Sequence, residues 1–192
     1  MSFKNSLILF IFFIAAGLGS HFLVKNGNYP SAIVGFDIIT VKEVDKDSSA
    51  AQKYLQNLAL LSGSDPKELD KPEARKEIRR AVLDKLISDV LVYAELDKRF
   101  PEEFQAIADN NINKILEDKN NLATGVKALY GLDLQVFRER VLLPQAYKEI
   151  LEGRMFLANE KFDDWLQNRR AQASVIILTP DLQWEGNSVK FR

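Results

Sequence analysis

Between residues 72 and 100 apolar side chains recur three and four positions apart, at Ile78, Val82, Leu83, Leu86, Ile87, Val90, Leu91 and Ala94. That spacing lays a wide apolar stripe along one long helix. Pro72 suits the first turn of such a helix and Pro101 marks its end. The same rhythm predicts a helix over about 102–118, through Phe104, Ile107, Ala108, Ile112, Ile115 and Leu116. Upstream, Thr40 and Glu43 have the spacing of a capping box. Such a box opens a helix over about 41–61 with Val44, Tyr54, Leu55, Leu58 and Leu61 on it. The stretch 62–72 reads as a loop, and "KNNLATG" (119–125) as a break before a short helix near 126–130. "NEKFDDWLQNRRAQA" (159–173) reads as a last helix with Phe162, Trp165 and Leu166 inward.

Two stretches follow a strand pattern instead. "AIVGFDIIT" (32–40) is β-branched and aromatic, with a turn candidate at Gly35, and "SVIIL" (174–178) is a short continuous apolar run stopped by Thr179 and Pro180. Pairing of "SVIIL" with the strand near 33–39 would bring the two ends of the helical region together. Beyond it, "LQWEGNSVKF" holds a Gly186-Asn187 turn candidate. Folded about that turn, Leu182 and Trp184 share a face with Val189 and Phe191. A frayed tail is the competing reading of the same residues.

"YGLDLQVFRERVLLPQAYKEIL" (130–151) carries a proline inside a helical pattern. Proline lacks a backbone donor and costs about 3 kcal/mol in a helix interior. Yet Leu134, Phe137, Val141, Pro144, Tyr147 and Leu151 keep the helical period across it, which predicts one helix kinked near 140–144 rather than two. Asp133 is the N-cap candidate, and Leu132 with Phe137 a candidate hydrophobic staple.

The first 25 residues differ from all of this. A basic start at Lys4 precedes an uncharged run from Leu7 to Val24, enough for a helix of about 27 Å against a bilayer core of about 30 Å. The competing reading is a signal peptide cleaved near Ala15, Ala16, Gly17 and Gly19. The apolar run continues through Phe22, Leu23 and Val24, which favours an uncleaved signal-anchor. The domain plan is then an anchor or signal segment at 1–25, a linker at 26–31, a helical module at 32–178 and a C-terminal tail or hairpin at 179–192. Either reading of the first segment places the remainder outside the cytoplasm, as a single-pass membrane-anchored protein or, after cleavage, a secreted one. Ala15 with Gly19 and Ala16 with Ser20 have small-xxx-small spacing, which leaves a homo-oligomer open.

The composition narrows the chemistry. With 192 residues, a formal charge of -1 and no cysteine, the chain has no global basic field for nucleic acid and no thiolate metal site. Its single histidine, His21, lies in or beside the apolar segment, so the rest has no Ser-His-Asp triad and no two-histidine metal site. "SDPK" (64–67) has Ser-x-x-Lys spacing but sits in a loop, whereas that chemistry needs adjacent turns of a buried helix. "RKEIRR" (75–80) is interrupted by Glu77 and reads as a helix surface. No catalytic residue, cofactor site or metal site is expected, and the chain is not expected to be an enzyme.

Four segments together carry a resemblance. "AIVGFDIITVKEV" (32–44), "RRAVLDKLISDVLVYAELDKR" (79–99), the proline-bearing stretch 130–151 and "FDDWLQNRRAQASVIIL" (162–178) are similar to the helical chaperone module of SurA/PpiD/PrsA-type extracytoplasmic folding factors. Members with prolyl isomerase activity carry a parvulin domain before the closing strand. Here only residues 155–173 lie in that interval, too few to hold one. The resemblance implies a mainly α fold: a SurA-N-like multi-helix module closed by a small β-sheet of N- and C-terminal strands, to which the apolar run at 1–25 adds an expected N-terminal transmembrane helix. It implies a membrane-tethered, non-catalytic chaperone or holdase in the periplasm or its equivalent, with unfolded or nascent polypeptides as partners. The alternative is a structural or scaffold subunit docking one envelope or translocation partner. Apolar stripes wider than the core needs can leave a groove for extended segments. The aromatic candidates to line it are Phe100, Phe104, Tyr130, Phe137, Tyr147 and Phe156.

Overall fold

The computed structural model describes residues 27–117 and 119–192. The expected anchor at 1–25 lies outside the described residues, and among those residues no helix is long and apolar enough to cross a membrane. The chain opens with β1 (Pro30–Val34) and β2 (Asp37–Thr40), an antiparallel hairpin with Val34 opposite Asp37. Gly35 takes φ 61° in the tight turn, a region where a side chain would be strained. Pro30 and Ser31, placed in a linker by composition, are the first two residues of β1, and Ser31 is buried.

Thr40 then caps α1 (Val41–Leu61): its hydroxyl accepts the Glu43 N–H, and the Glu43 carboxylate accepts the Thr40 N–H at 2.8 Å. This is the box read from sequence. The following loop contains a 3₁₀ turn, Pro66–Asp70, opened by the Asp65 carboxylate accepting the Lys67 N–H. Next come α2 (Pro72–Arg99), α3 (Phe104–Leu116) and α4 (Lys119–Tyr130). The break expected at 119–125 is therefore the first half of α4. Asn and Gly are weak helix formers, but packing of Leu122 and Val126 overrides that preference. Asn57 of α1 donates to the Ala128 and Leu129 carbonyls at the other end of α4, and Gly131 terminates it with φ 70° and its N–H on the Lys127 carbonyl.

The proline stretch is one helix, α5, spanning 134–157. It comprises Leu134–Phe137, a π-helical turn at Arg138–Leu142, and Leu143–Leu157. The device is not the simple proline kink expected. Within the π turn the Leu143 N–H reaches back five residues to the Arg138 carbonyl, and Pro144 follows at once. One residue of slack is thus inserted where proline would disrupt a four-residue ladder, and the helix continues on both sides. Asp133 is the N-cap residue, but its carboxylate bonds to Lys127 Nζ at 2.8 Å rather than to the helix.

After α6 (Phe162–Gln172), β3 (Val175–Ile177) returns to β1, with Ile176 opposite Ile33 and Ile177 opposite Ala32. The sheet order is β2-β1-β3. This is the closing of N- and C-terminal strands expected from sequence, on a mainly helical chain with small antiparallel sheets. The tail is a hairpin, β4 (Leu182–Glu185) and β5 (Ser188–Phe191), with Trp184 opposite Val189. It is not peripheral: Leu182 and Val189 are fully buried in the same core as Val44, Leu83 and Ile87. The folded body therefore extends past Leu178, because those two side chains fill the core that the three-stranded sheet leaves open. Arg170 and Asp84 fix the hairpin. The Asp84 carboxylate accepts the Val189 N–H at 2.8 Å, and Arg170 donates to Asp84 and to the Asn187 carbonyl.

Helix α2 is the spine. Its Ile78, Val82, Leu83, Ile87 and Leu91 belong to the core under the sheet and hairpin. Its Val92 and Leu96 belong to a second core with Phe104, Leu151, Met155 and Phe162. A third, smaller group (Ala108, Ile112, Leu116 and Ala146) joins α3 to α5.

A candidate polypeptide-binding cleft

The stripe of α2 is wider than its cores use. Leu86 and Val90 are only half-buried, and with Tyr93 they line a cleft of about 220 Å³. The opposite walls are Asp37, Ile38 and Ile39 of β2, the first turns of α1, and Pro144 and Tyr147 of α5. Among the described residues β2 pairs on one side only, with β1. The cleft thus combines an apolar floor with a strand edge, the two elements used to hold an extended peptide by its backbone and side chains.

Arg140, inside the π turn, forms one end. Its Nε donates to Asp47 Oδ1 at 2.8 Å, Nη1 to Glu43 Oε1 at 3.2 Å and Nη2 to the Glu43 carbonyl at 3.3 Å. The π turn is thereby tied to the capped start of α1, so the cap and the helix irregularity are parts of one network. Burial would raise the Glu43 carboxyl, but the bonds from the Thr40 amide and hydroxyl and from Arg140 outweigh it, and the net direction is downward. Burial likewise works against the charge of Arg140, and its bonds to Asp47 and Glu43 reverse that, so its pKa is raised. Asp89, beside the cleft, goes the other way: burial pushes its carboxyl up, against the opposing pull of Lys85 at 2.5 Å.

At the other end Tyr93 and Tyr147 meet edge to face, with centroids 5.6 Å apart, and Phe104 stands behind both at 5.5 and 5.3 Å. Five carboxylates (Asp37, Glu43, Asp47, Asp89 and Glu139) line the cleft beside one guanidinium. Among the described residues no group of three or more His, Cys, Asp or Glu is arranged to hold a metal ion. What the arrangement offers is apolar contact and a negative rim.

The six aromatic residues singled out in the sequence do not form one surface. Tyr147 lines the cleft, and Phe104 is fully buried behind it. Tyr130 lies between Tyr54, stacked at 4.8 Å, and Phe137 at 5.0 Å, and this trio joins α1, α4 and α5. Phe137 is buried there. Phe100 is half-buried beneath Arg154, 4.9 Å from its ring. Phe156 is 79% exposed at the end of α5. Phe104 and Phe137 are thus core residues rather than groove residues, because both point from α3 and α5 toward neighbouring helices. Conversely, Leu86, Val90, Tyr93 and Arg140 line the cleft without having been singled out for it. The spacing of Leu86, Val90 and Tyr93 on one helical face was the available signal.

Comparison with family models, with curated proteins and with solved structures returned no match for this chain.

Proposed function

We propose that this chain is a membrane-tethered, non-catalytic chaperone of the SurA-N-like kind, holding unfolded or incompletely folded extracytoplasmic polypeptides. The observation that carries this reading is the cleft in which a strand edge, unpaired among the described residues, faces the half-buried stripe of α2. An extended client segment would pair its backbone with β2 and set alternate apolar side chains on Leu86, Val90 and Tyr93. The acidic rim favours clients whose apolar segments are flanked by lysine or arginine. The anchor at 1–25 would keep this holdase at the membrane, where such chains emerge.

The test is aggregation of a chemically unfolded client followed by light scattering, with the full chain in lipid nanodiscs at stoichiometric amounts. Suppression is expected, and Tyr93→Ser, a change at a partly exposed position, should weaken it severalfold. No suppression by the unmodified chain would sink the reading. If pull-downs returned one stoichiometric partner in place of a broad client mixture, the scaffold alternative would take its place.

A further inference from the structure

Among the described residues the three-stranded sheet buries one face and leaves the other bare, and the bare face is not polar. Ile33 stands directly opposite Ile38 on one side and Ile176 on the other, so the three share a face and form a row across the sheet. Ile38 is 59% and Ile176 55% exposed, and Leu178, two residues past Ile176, is 48% exposed. Phe36, at the tip of the β1–β2 hairpin, is fully exposed, and Tyr29 just before β1 is also exposed. An antiparallel sheet with one solvated face ordinarily alternates apolar-in with polar-out. Here both faces are apolar, and such a patch needs a cover.

We infer that this face rests on the lipid bilayer itself. The inference relies on the membrane tether of the preceding subsection and adds the surface by which the folded body meets the membrane. The apolar run ends at Val24. Gly27 is already fixed to the folded body, its carbonyl accepting the Lys42 N–H at 2.9 Å, and the Tyr29 carbonyl accepts the Val41 N–H at 3.0 Å. Three residue steps separate Val24 from Gly27, a span of about 10 Å when fully extended. A segment that crosses the bilayer and ends at Val24 therefore leaves no slack for the domain to stand off. The sheet and the start of α1 must lie at the interface.

The exposed apolar groups of the sheet belong to strands that start or finish at this end. Leu60 and Leu61 lie at the far end of α1, about 30 Å along the helix axis. Tyr29 and Phe36 flank β1, placing one aromatic ring at each end of the strand, and aromatic rings are favoured at the headgroup level. The row Ile38–Ile33–Ile176 carries no lysine or arginine, so the contact should not require anionic lipid.

The chain has no cysteine, so single-cysteine variants give clean labelling sites. The full chain carrying a nitroxide at Phe36→Cys or Ile176→Cys is reconstituted in pure phosphatidylcholine vesicles, with Leu61→Cys as the distant exposed control. All three positions are exposed, and an unchanged thermal transition checks the fold. The expected result is a severalfold fall in collision with a water-soluble nickel chelate, and a rise in collision with oxygen, at 36 and 176 but not at 61. If the chain floats with the vesicles while 36 and 176 stay as accessible to nickel as 61, this inference falls and the tether stands. Shielding of both positions from nickel and oxygen alike would mean that protein covers the face, and would also overturn it. If the chain does not float with vesicles, the tether itself is wrong and this contact falls with it.

Discussion

The core beneath the sheet and the core among the helices share one spine, α2, yet they draw on very different distances along the chain. Beneath the sheet, Ala32 pairs with Ile177, and Leu182 and Val189 from the last hairpin fill the space beside Leu83 and Ile87. Among the helices, Phe104, Leu151, Met155 and Phe162 come from α3, α5 and α6, which lie closer along the chain than the two ends although α4 intervenes. The first core can form only when the two ends of the described chain meet, and loop closure must be offset before those contacts contribute. The second closes shorter loops. The sheet end is therefore expected to be the all-or-none part of the fold, and the helical arm the part able to open locally.

The largest test of that contrast is removal of residues 179–192. It strips two fully buried side chains, each worth about 1.5–3 kcal/mol, and the truncated chain should lose about 3–6 kcal/mol in denaturant unfolding. An unchanged midpoint would mean that the hairpin is not part of the core. Next in size is Phe104→Ala, expected to cost about 3–5 kcal/mol. Hydrogen exchange should show the loss concentrated in α3 and the second half of α5, with the sheet still protected. Uniform acceleration would show that the two cores are one cooperative unit.

Arg140→Ala removes the tie between the π turn and the start of α1 and should cost about 1–3 kcal/mol, read from chemical unfolding. The pH profile carries a sign that can be checked in the same experiment. The folded-state pKa of Glu43 is lowered, so its contribution is present above the ordinary carboxylate range and is lost as pH falls through the lowered value. Arg140→Ala should flatten that acid limb. The smallest effect is Asp89→Asn. Asp89 has a raised pKa, so its protonated form favours folding, and that advantage is lost as pH rises through the raised value. Asn should accordingly stabilise slightly at neutral pH, and the gain should vanish in acid, as seen by thermal melts at both pH values. A neutral-pH loss would show that the Lys85 pair outweighs the burial of the carboxyl.

Much of the fold is legible in local chemistry. The Thr40–Glu43 box, the bounds of α1, the stripe of α2, and the pairing of "SVIIL" with the first hairpin all follow from spacing that is satisfied within a few residues or across one ladder. Less legible were the elements whose state depends on a distant neighbour. The segment 119–125 is helical because α1 and α5 pack against α4, which outweighs the weak helix preference of Asn120, Asn121, Thr124 and Gly125. The cleft was half legible. A stripe wider than its core was readable, but which aromatic residues face outward depends on how α3 and α5 are rotated against α2, and periodicity is the same for a side chain in a core and one in a groove.

The amino-acid sequence by itself determined most of the helices, the closing strand, a turn candidate for the last hairpin and the persistence of helical period across Pro144. Each of these rests on interactions within a few residues or on a repeating apolar face. Tertiary structure alone decided that a π turn absorbs the proline, that Arg140 joins it to the cap of α1, and that the final hairpin completes the core. It also decided that Ile33, Ile38 and Ile176 form a bare apolar row, because register, and not composition, sets which face of a strand looks outward.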